Sequence, residues 1–404
     1  MPASASSKPV PKPARAGTRG PGDPAPIRLV VQQPALAKYR VPVFRELASR
    51  EGIDLTLVYA QRRGIPNVEP DGFRGIFEPM SEPGLFGRRI YWHGAQWRCA
   101  SPGRSDVLML SWDLHYAGLI PSLLRARRRG VGTVLWGHGY SKNESAIRFW
   151  LRRRSGRLAT ALLFYNRATA ESYIRAGAAR ERVFVALNSL DQTPIQRERE
   201  RWLAAPARLD EFRREQGLEG RATVLFVSRL EAANRVDLLL EAASRLAGDL
   251  PGLRVVIVGT GAEQDRLESM AGSLGIAGVV RFVGAVYEED RLAPWFLCSD
   301  VFCYPANIGL SLLHAFGYGL PVVTGDDVAS QNPEIEALEP GVNGLVYRAG
   351  DAASLAASLR EIIEEPSRRE RMAREAHRTA TERFTLANMV DGMVAAVRFA
   401  HEHA

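Results

Sequence analysis

The 404-residue chain contains no apolar run approaching a membrane span and only three cysteines, Cys99, Cys298 and Cys303. An odd cysteine count without metal-ligand spacing argues against both a disulfide framework and a zinc site, leaving buried free thiols as the reading. Residues Met1–Ile27 lack the apolar stretch of a signal peptide and are rich in Pro, Ala, Ser, Gly and basic side chains. Residues 1–26 therefore read as a disordered basic tail, and the expected location is the cytoplasm, with a peripheral position on the inner face of the plasma membrane as an open alternative. No repeat of solenoid period and no recognised nucleic-acid-binding motif occurs, so a nucleic-acid partner is not expected.

What is present is enough apolar residue, 46%, for two domains with full cores. The net charge of +8 hides a division: residues 1–200 hold 32 Lys/Arg against 16 Asp/Glu, and the remainder 21 against 29. Arg125, Arg127, Arg128 and Arg129 form one basic cluster. A second, Arg148, Arg152, Arg153, Arg154 and Arg157, lies beside Phe149, Trp150 and Leu151. A helix of that mixture suits an anionic membrane surface; a plain solvated basic face is the competing reading.

From Ile27 onward, β-like runs alternate with helical patterns, the signature of parallel sheets covered by helices. RLVVQQ, IDLTLVYA, DVLMLSW, TVLWGHG, TALLFYN and RVFVALN supply the first set of strands; TVLFVSRL, LRVVIVGTG, VVRFVGAV, DVFCYP, LPVVTG and NGLVY supply the second. Helices are predicted near Val41–Arg50, Leu114–Arg129, Ser145–Arg157 and Ala168–Ala176, and over about Leu386–His401. The expected division is an N-terminal doubly wound domain over 27–190, a C-terminal one over 191–385, and a closing helix over 386–404. The Arg/Glu-rich stretch Gln192–Arg214 marks the crossing between them.

The segment Tyr304–Thr324, YPANIGLSLLHAFGYGLPVVT, is the most informative. A strand end is followed by Gly309, a helix through Leu310, Leu313 and Phe316, a Gly319-Leu320-Pro321 stop and a buried strand from Val322. A helix opening at Gly309-Leu310-Ser311 points free N–H groups and its positive dipole end above the sheet, where an anion is the expected guest. Ser228-Arg229-Leu230 ends another strand, and Arg229 at a sheet's carboxyl edge can hold a diphosphate with two prongs.

These residues resemble family 4 glycosyltransferases, retaining enzymes of the GT-B fold with two Rossmann-like α/β domains facing a central cleft. Gly309, Leu310, Leu313, Ala315, Gly319, Pro321, Val322 and Val323 match the family pattern, but its Glu-x7-Glu positions are here Ala306 and His314. The resemblance implies transfer of a sugar from a nucleotide-diphosphate donor to a glycan or lipid-linked saccharide, with no metal and no further cofactor. It places Arg229 at the diphosphate. The family Lys that joins this Arg is Asn234 here, with Arg235 next to it as a substitute turned by about 100°. Gly261, in the turn Gly259-Thr260-Gly261, becomes part of the donor cleft wall, although close packing alone would also use it. Val283 and Gly284 fall where the nucleobase is held, and His314 falls at the ribose. Asn307 is the nearest replacement for the polar group missing at Ala306.

Glycines on both sides of His138 leave that imidazole open at a strand end, and the resemblance directs it toward the donor sugar or its phosphates, supported by Lys142. His115 and Asp113 also lie at a strand end, equally readable as helix-start residues. Lys38, Tyr39 and Arg40 offer charge and an aromatic face to an acceptor, or form a simple loop. Glu334 and Glu336 match a Pro-Glu stretch of the family and are helix-start acids otherwise. A non-catalytic binding or scaffold subunit, and a nucleotide-sugar epimerase on the same fold, remain the competing functions.

Overall fold

The computed structural model describes residues 25–82, 84–85, 88–140 and 145–404. Lys142 and nearly all of the basic tail lie outside the described residues.

Two parallel sheets form the framework. In the larger, seven strands neighbour one another in the order Arg74–Phe77, Ile53–Tyr59, Ile27–Gln33, Val107–Ser111, Gly132–Gly137, Ala161–Phe164 and Val183–Val185. In the smaller, the order is Val280–Gly284, Leu253–Val258, Ala222–Val227, Val301–Cys303, Val322–Gly325 and Gly344–Tyr347. The central strands read as continuous apolar runs because both of their faces are covered: every residue of GTVLWG at 132–137 and of VVTG at 322–325 is buried. The edge strand Arg74–Phe77 is largely exposed and carries no such run, which is why the sequence did not announce it.

In each sheet the strand order reverses once, between Ile27–Gln33 and Val107–Ser111 and between Ala222–Val227 and Val301–Cys303. The second pair runs in register, Val224 opposite Val301 and Leu225 opposite Phe302. The loops after these two strands therefore leave the sheet side by side, where doubly wound folds take ligands. Phe226, Phe302, Phe316 and Leu239 are fully buried in the core beneath them.

By compactness the chain divides into two units. One gathers the described residues up to Gly137, Ile147–Leu162 and Met393–Ala404; the other gathers His138–Ala146 and Leu163–Gly392. The His138 loop thus groups with the second unit. The closing helix Leu386–Glu402 changes unit partway, and its end lies so close to the first unit's strands that a Cβ on Gly132 would meet the Ala400 carbonyl oxygen at 2.1 Å. The stretch 192–214, read as a crossing, forms the helices Thr193–Leu203 and Pro206–Glu215. They pack inside the second unit, Gln192 and Gln196 donating to the carbonyls of Leu313 and Gly317. The helix expected from Leu114 begins only at Leu119, because Asp113–Gly118 forms turns with Asp113 accepting from the His115 N–H at 3.0 Å.

Candidate functional site

At the reversal point of the second sheet, Tyr304 donates its hydroxyl to Ser228 Oγ at 3.0 Å, joining the two strand ends. Gly259 and Gly261 stand where the neighbouring backbone leaves no room. A Cβ on Gly259, at φ 142°, would lie 1.8 Å from the Ser228 carbonyl oxygen, and one on Gly261 2.3 Å from that of Leu230. Gly259 also donates to the Gly284 carbonyl at 2.8 Å, with Gly284 at φ 84° and Val283 half-buried.

Arg229 projects from this edge with its side chain 77% exposed and its guanidinium 2.9 Å from Glu231. Asn234, by contrast, is buried; its amide donates to the Arg229 carbonyl at 2.7 Å and accepts from the Asn307 amide at 3.2 Å. Arg235 takes a left-handed φ of 52° and turns onto Asp237, donating to both its oxygens. The one-residue offset thus decides the direction: Asn234 faces the Asn307 loop, and Arg235 neutralises an acid in the first turn of its own helix, Val236–Ala247.

Asn307 is one of two non-glycine described residues at positive φ, 62°. Asn332 donates to its carbonyl oxygen at 2.9 Å and to its side-chain oxygen at 3.3 Å, while Gln331 accepts from the Ile308 N–H at 2.7 Å. Strain is held here by a set of amides, Asn234, Asn307, Gln331 and Asn332. Gly309 then opens the helix Leu310–Gly317 with no side-chain cap, with Leu310 and Ser311 half-buried in its first turn. Uncapped N–H groups at that end suit an anionic oxygen.

His314 lies in this helix, and the structure turns it toward a residue the sequence reading missed. Its Nε2 is 2.8 Å from Glu289 Oε1, which also accepts from the Tyr318 hydroxyl at 2.6 Å, and its ring packs 4.8 Å from Phe296. Burial, with the Glu289 charge beside it, holds the Tyr318 phenol far above its ordinary range. Glu289 begins the helix Glu289–Leu297, and the only signal for it was the acidic run Glu288-Glu289-Asp290.

His138 is exposed, its ring centroid 4.8 Å from Tyr165 and 6.1 Å from Tyr140. Gly139, at φ 69°, lets its loop press against Phe164, and its carbonyl accepts from the Tyr173 hydroxyl at 2.6 Å. Burial raises the Tyr140 phenol, helped by the charge of Glu334. Glu334 is itself buried and takes a hydrogen bond from the Asn188 amide. Glu336 serves the start of a different helix: it accepts from the Arg167 N–H at 2.6 Å and from its guanidinium at 3.0 Å.

In the first unit, Lys38, Tyr39 and Arg40 form one short turn. Lys38 and Tyr39 are exposed, and the Arg40 guanidinium lies over the rings of Tyr39 and Trp136 at 5.3 and 5.0 Å. A buried polar chain went unnoticed in the sequence. Gln96 donates to Gln32 Oε1 at 3.1 Å, and the Gln32 amide lies 3.0 Å from His93 Nδ1. His115 meets Asp113 through Nδ1 at 2.6 Å. Among the described residues no group of three or more His, Cys, Asp or Glu is placed to hold a metal, and no helix is long and apolar enough to cross a membrane.

Residues 209–379 match the family model of Glycosyl transferases group 1. The chain is 37% identical over 196 residues to a D-inositol 3-phosphate glycosyltransferase of Geodermatophilus obscurus, covering 46% of this chain and 42% of that one. It is 30% identical over 171 residues to the lipopolysaccharide core biosynthesis glycosyltransferase LpsE of Rhizobium meliloti, covering 42% of this chain and 47% of that one. The match thus spans less than half the length of either relative. Among solved structures, Anabaena Alr3699/HepE with UDP superposes at a TM-score of 0.68 with 17% identity, covering 91% of this chain and 98% of that one. The same protein with UDP-glucose gives 0.63 and 16%, over the same shares. The chain has the GT-B fold, and within it residues 209–379 match the family model of group 1 glycosyl transferases.

Proposed function

We propose that this chain is a retaining glycosyltransferase that moves a sugar from a nucleotide-diphosphate donor to a glycan or lipid-linked saccharide, the latter presented at an anionic membrane surface. The observation that carries this reading is the meeting of the Arg229 loop, Asn234 and Asn307 beside the uncapped helix start at Gly309, inside the segment matched by the family model. The UDP and UDP-glucose complexes of Alr3699/HepE support a nucleotide sugar as the guest.

In the proposed reaction an acceptor hydroxyl oxygen bonds to the anomeric carbon as the bond from that carbon to the diphosphate breaks. The departing phosphate takes the hydroxyl proton on the same face, so the anomeric configuration is kept. Arg229 and the N–H groups at Gly309–Ser311 offset the charge growing on the diphosphate, in the role a metal fills elsewhere. His138 is assigned to the sugar or its phosphates, and Lys38, Tyr39, Arg40 and Lys142 to the acceptor. Calorimetry with a panel of nucleotide sugars in the presence of a chelator, followed by NMR of the product anomer, tests this. Binding of one donor and transfer with retention are expected; an inverted product or dependence on a divalent ion overturns those parts of the reading.

A scaffold role is the second reading, favoured by the neutral Ala306 and Asn234 and by the engagement of Arg229 and Arg235 with Glu231 and Asp237. Failure of every nucleotide sugar to bind decides for it.

A further inference from the structure

The helix Ala146–Leu158 is built inside out. Toward its own sheet it buries Arg152, Ser155 and Gly156: Arg152 donates to the Trp112 carbonyl at 3.2 Å, Ser155 accepts from the Trp112 indole at 3.0 Å, and a Cβ on Gly156 would touch that ring at 3.1 Å. Its large apolar side chains face outward instead, Ile147 at 72% exposure and Trp150 at 54%, with Phe149 and Leu151 also exposed. A helix facing water presents the opposite pattern, and an exposed apolar face of this kind is the mark of an interaction surface.

Its neighbour shares the feature. Strands Val107–Ser111, Gly132–Gly137 and Ala161–Phe164 lie in sequence order in the sheet, so right-handed crossovers put the helices Leu119–Arg128 and Ala146–Leu158 side by side on one face. Leu119–Arg128 exposes Ile120 and Leu124, and the Arg125 guanidinium covers the exposed Trp97 ring at 4.6 Å. On Ala146–Leu158 the guanidiniums of Arg153 and Arg154 lie over Phe149 and Trp150 at 5.8 and 4.9 Å, and with Arg157 these residues line one shallow hollow.

We infer that these two outward faces together form a docking surface for an anionic lipid bilayer, with the aromatic and aliphatic side chains entering the headgroup boundary and the arginines meeting lipid phosphates. Charge selects this occupant. A second copy of the chain, packed symmetrically, would set Arg153, Arg154 and Arg157 against their own equivalents, whereas an anionic leaflet neutralises them. Interleaved arginine and tryptophan is the composition of a helix lying in a membrane interface. The inference gives the membrane part of the proposed function its surface and does not depend on the transfer chemistry.

Vesicle co-sedimentation of the full chain tests it without any turnover. Vesicles of phosphatidylcholine with phosphatidylglycerol should bind the protein at least about tenfold more tightly than phosphatidylcholine alone, and raised salt should release it. Trp150→Ala with Phe149→Ala, and separately Arg153→Gln with Arg154→Gln and Arg157→Gln, should each weaken binding at least about tenfold while the melting temperature is kept. Equal binding to both vesicle types, no binding to either, binding unchanged in both variants, or concentration-dependent dimerisation abolished by Trp150→Ala would overturn it. Donor binding by calorimetry, run on the same variants, should stay unchanged; its failure in the parent chain would count against the transfer reading alone.

Discussion

The amide of Asn234 donates to the main-chain oxygen of Arg229 at 2.7 Å, so a buried neutral side chain holds the loop whose exposed guanidinium faces solvent. Anchoring and charge are divided between two residues. The pair with Glu231 is exposed and worth at most about 1 kcal/mol, so an incoming diphosphate can draw the guanidinium away from it. Arg229→Ala should lower turnover or donor affinity at least about tenfold with little change in melting temperature. Unchanged kinetics would remove Arg229 from the diphosphate site.

Asn307 sits at a left-handed φ of 62° and its amide reaches Asn234. Alanine there both resists the backbone and loses the amide, at a cost of about 1–3 kcal/mol. Asn307→Gly loses only the amide and keeps the permitted φ. Thermal unfolding should therefore separate the two, while calorimetry shows donor affinity reduced in both. Equal melting temperatures for the two variants would mean the conformation carries no strain.

Glu289 Oε1 accepts from both His314 and Tyr318. Glu289→Ala leaves the half-buried His314 and the buried Tyr318 hydroxyl without their acceptor and should lower stability by about 1–3 kcal/mol in denaturant titration. His314→Ala should do the same, with a loss of donor affinity smaller than that of Arg229→Ala. A larger loss of affinity than of stability would return His314 to the ribose role that the family resemblance implies.

Burial holds the His93 imidazole below its ordinary value of 6.5, with Arg98 acting in the same direction and Glu78 against it. In the folded chain His93 stays neutral at a pH where the unfolded chain takes up a proton. Its contribution to stability is complete above 6.5 and is lost as the pH falls through that value toward the lowered one. His93→Gln should remove this part of the acid slope when unfolding free energy is measured from about pH 8 to pH 5. An identical slope in the variant would show that His93 does not titrate in this way.

Much of the framework was legible in order of residues alone. Period and apolar runs announced the strands of both sheets, since a strand covered on two faces has to be apolar throughout, and Gly309 and Gly319-Leu320-Pro321 announced the ends of the helix between them. Short or exposed elements such as Arg74–Phe77 carried no such signature. The Arg/Glu-rich stretch 192–214 read as a crossing between domains because its apolar residues are sparse in a polar sequence; folding nevertheless carries Ile195, Trp202 and Leu209 into the second unit's core, with Phe212 packed against Trp295.

The sequence by itself determined the strands, the glycines where backbones must approach and the residue types available for charge. Which way those residues turn was decided only by the tertiary structure. That Asn234 faces Asn307 while Arg235 folds back on Asp237 follows from a left-handed φ at a single position, and that His314 meets Glu289 follows from the packing of two successive helices separated by a strand. Direction depends on neighbours brought together by folding, and linear order does not contain them.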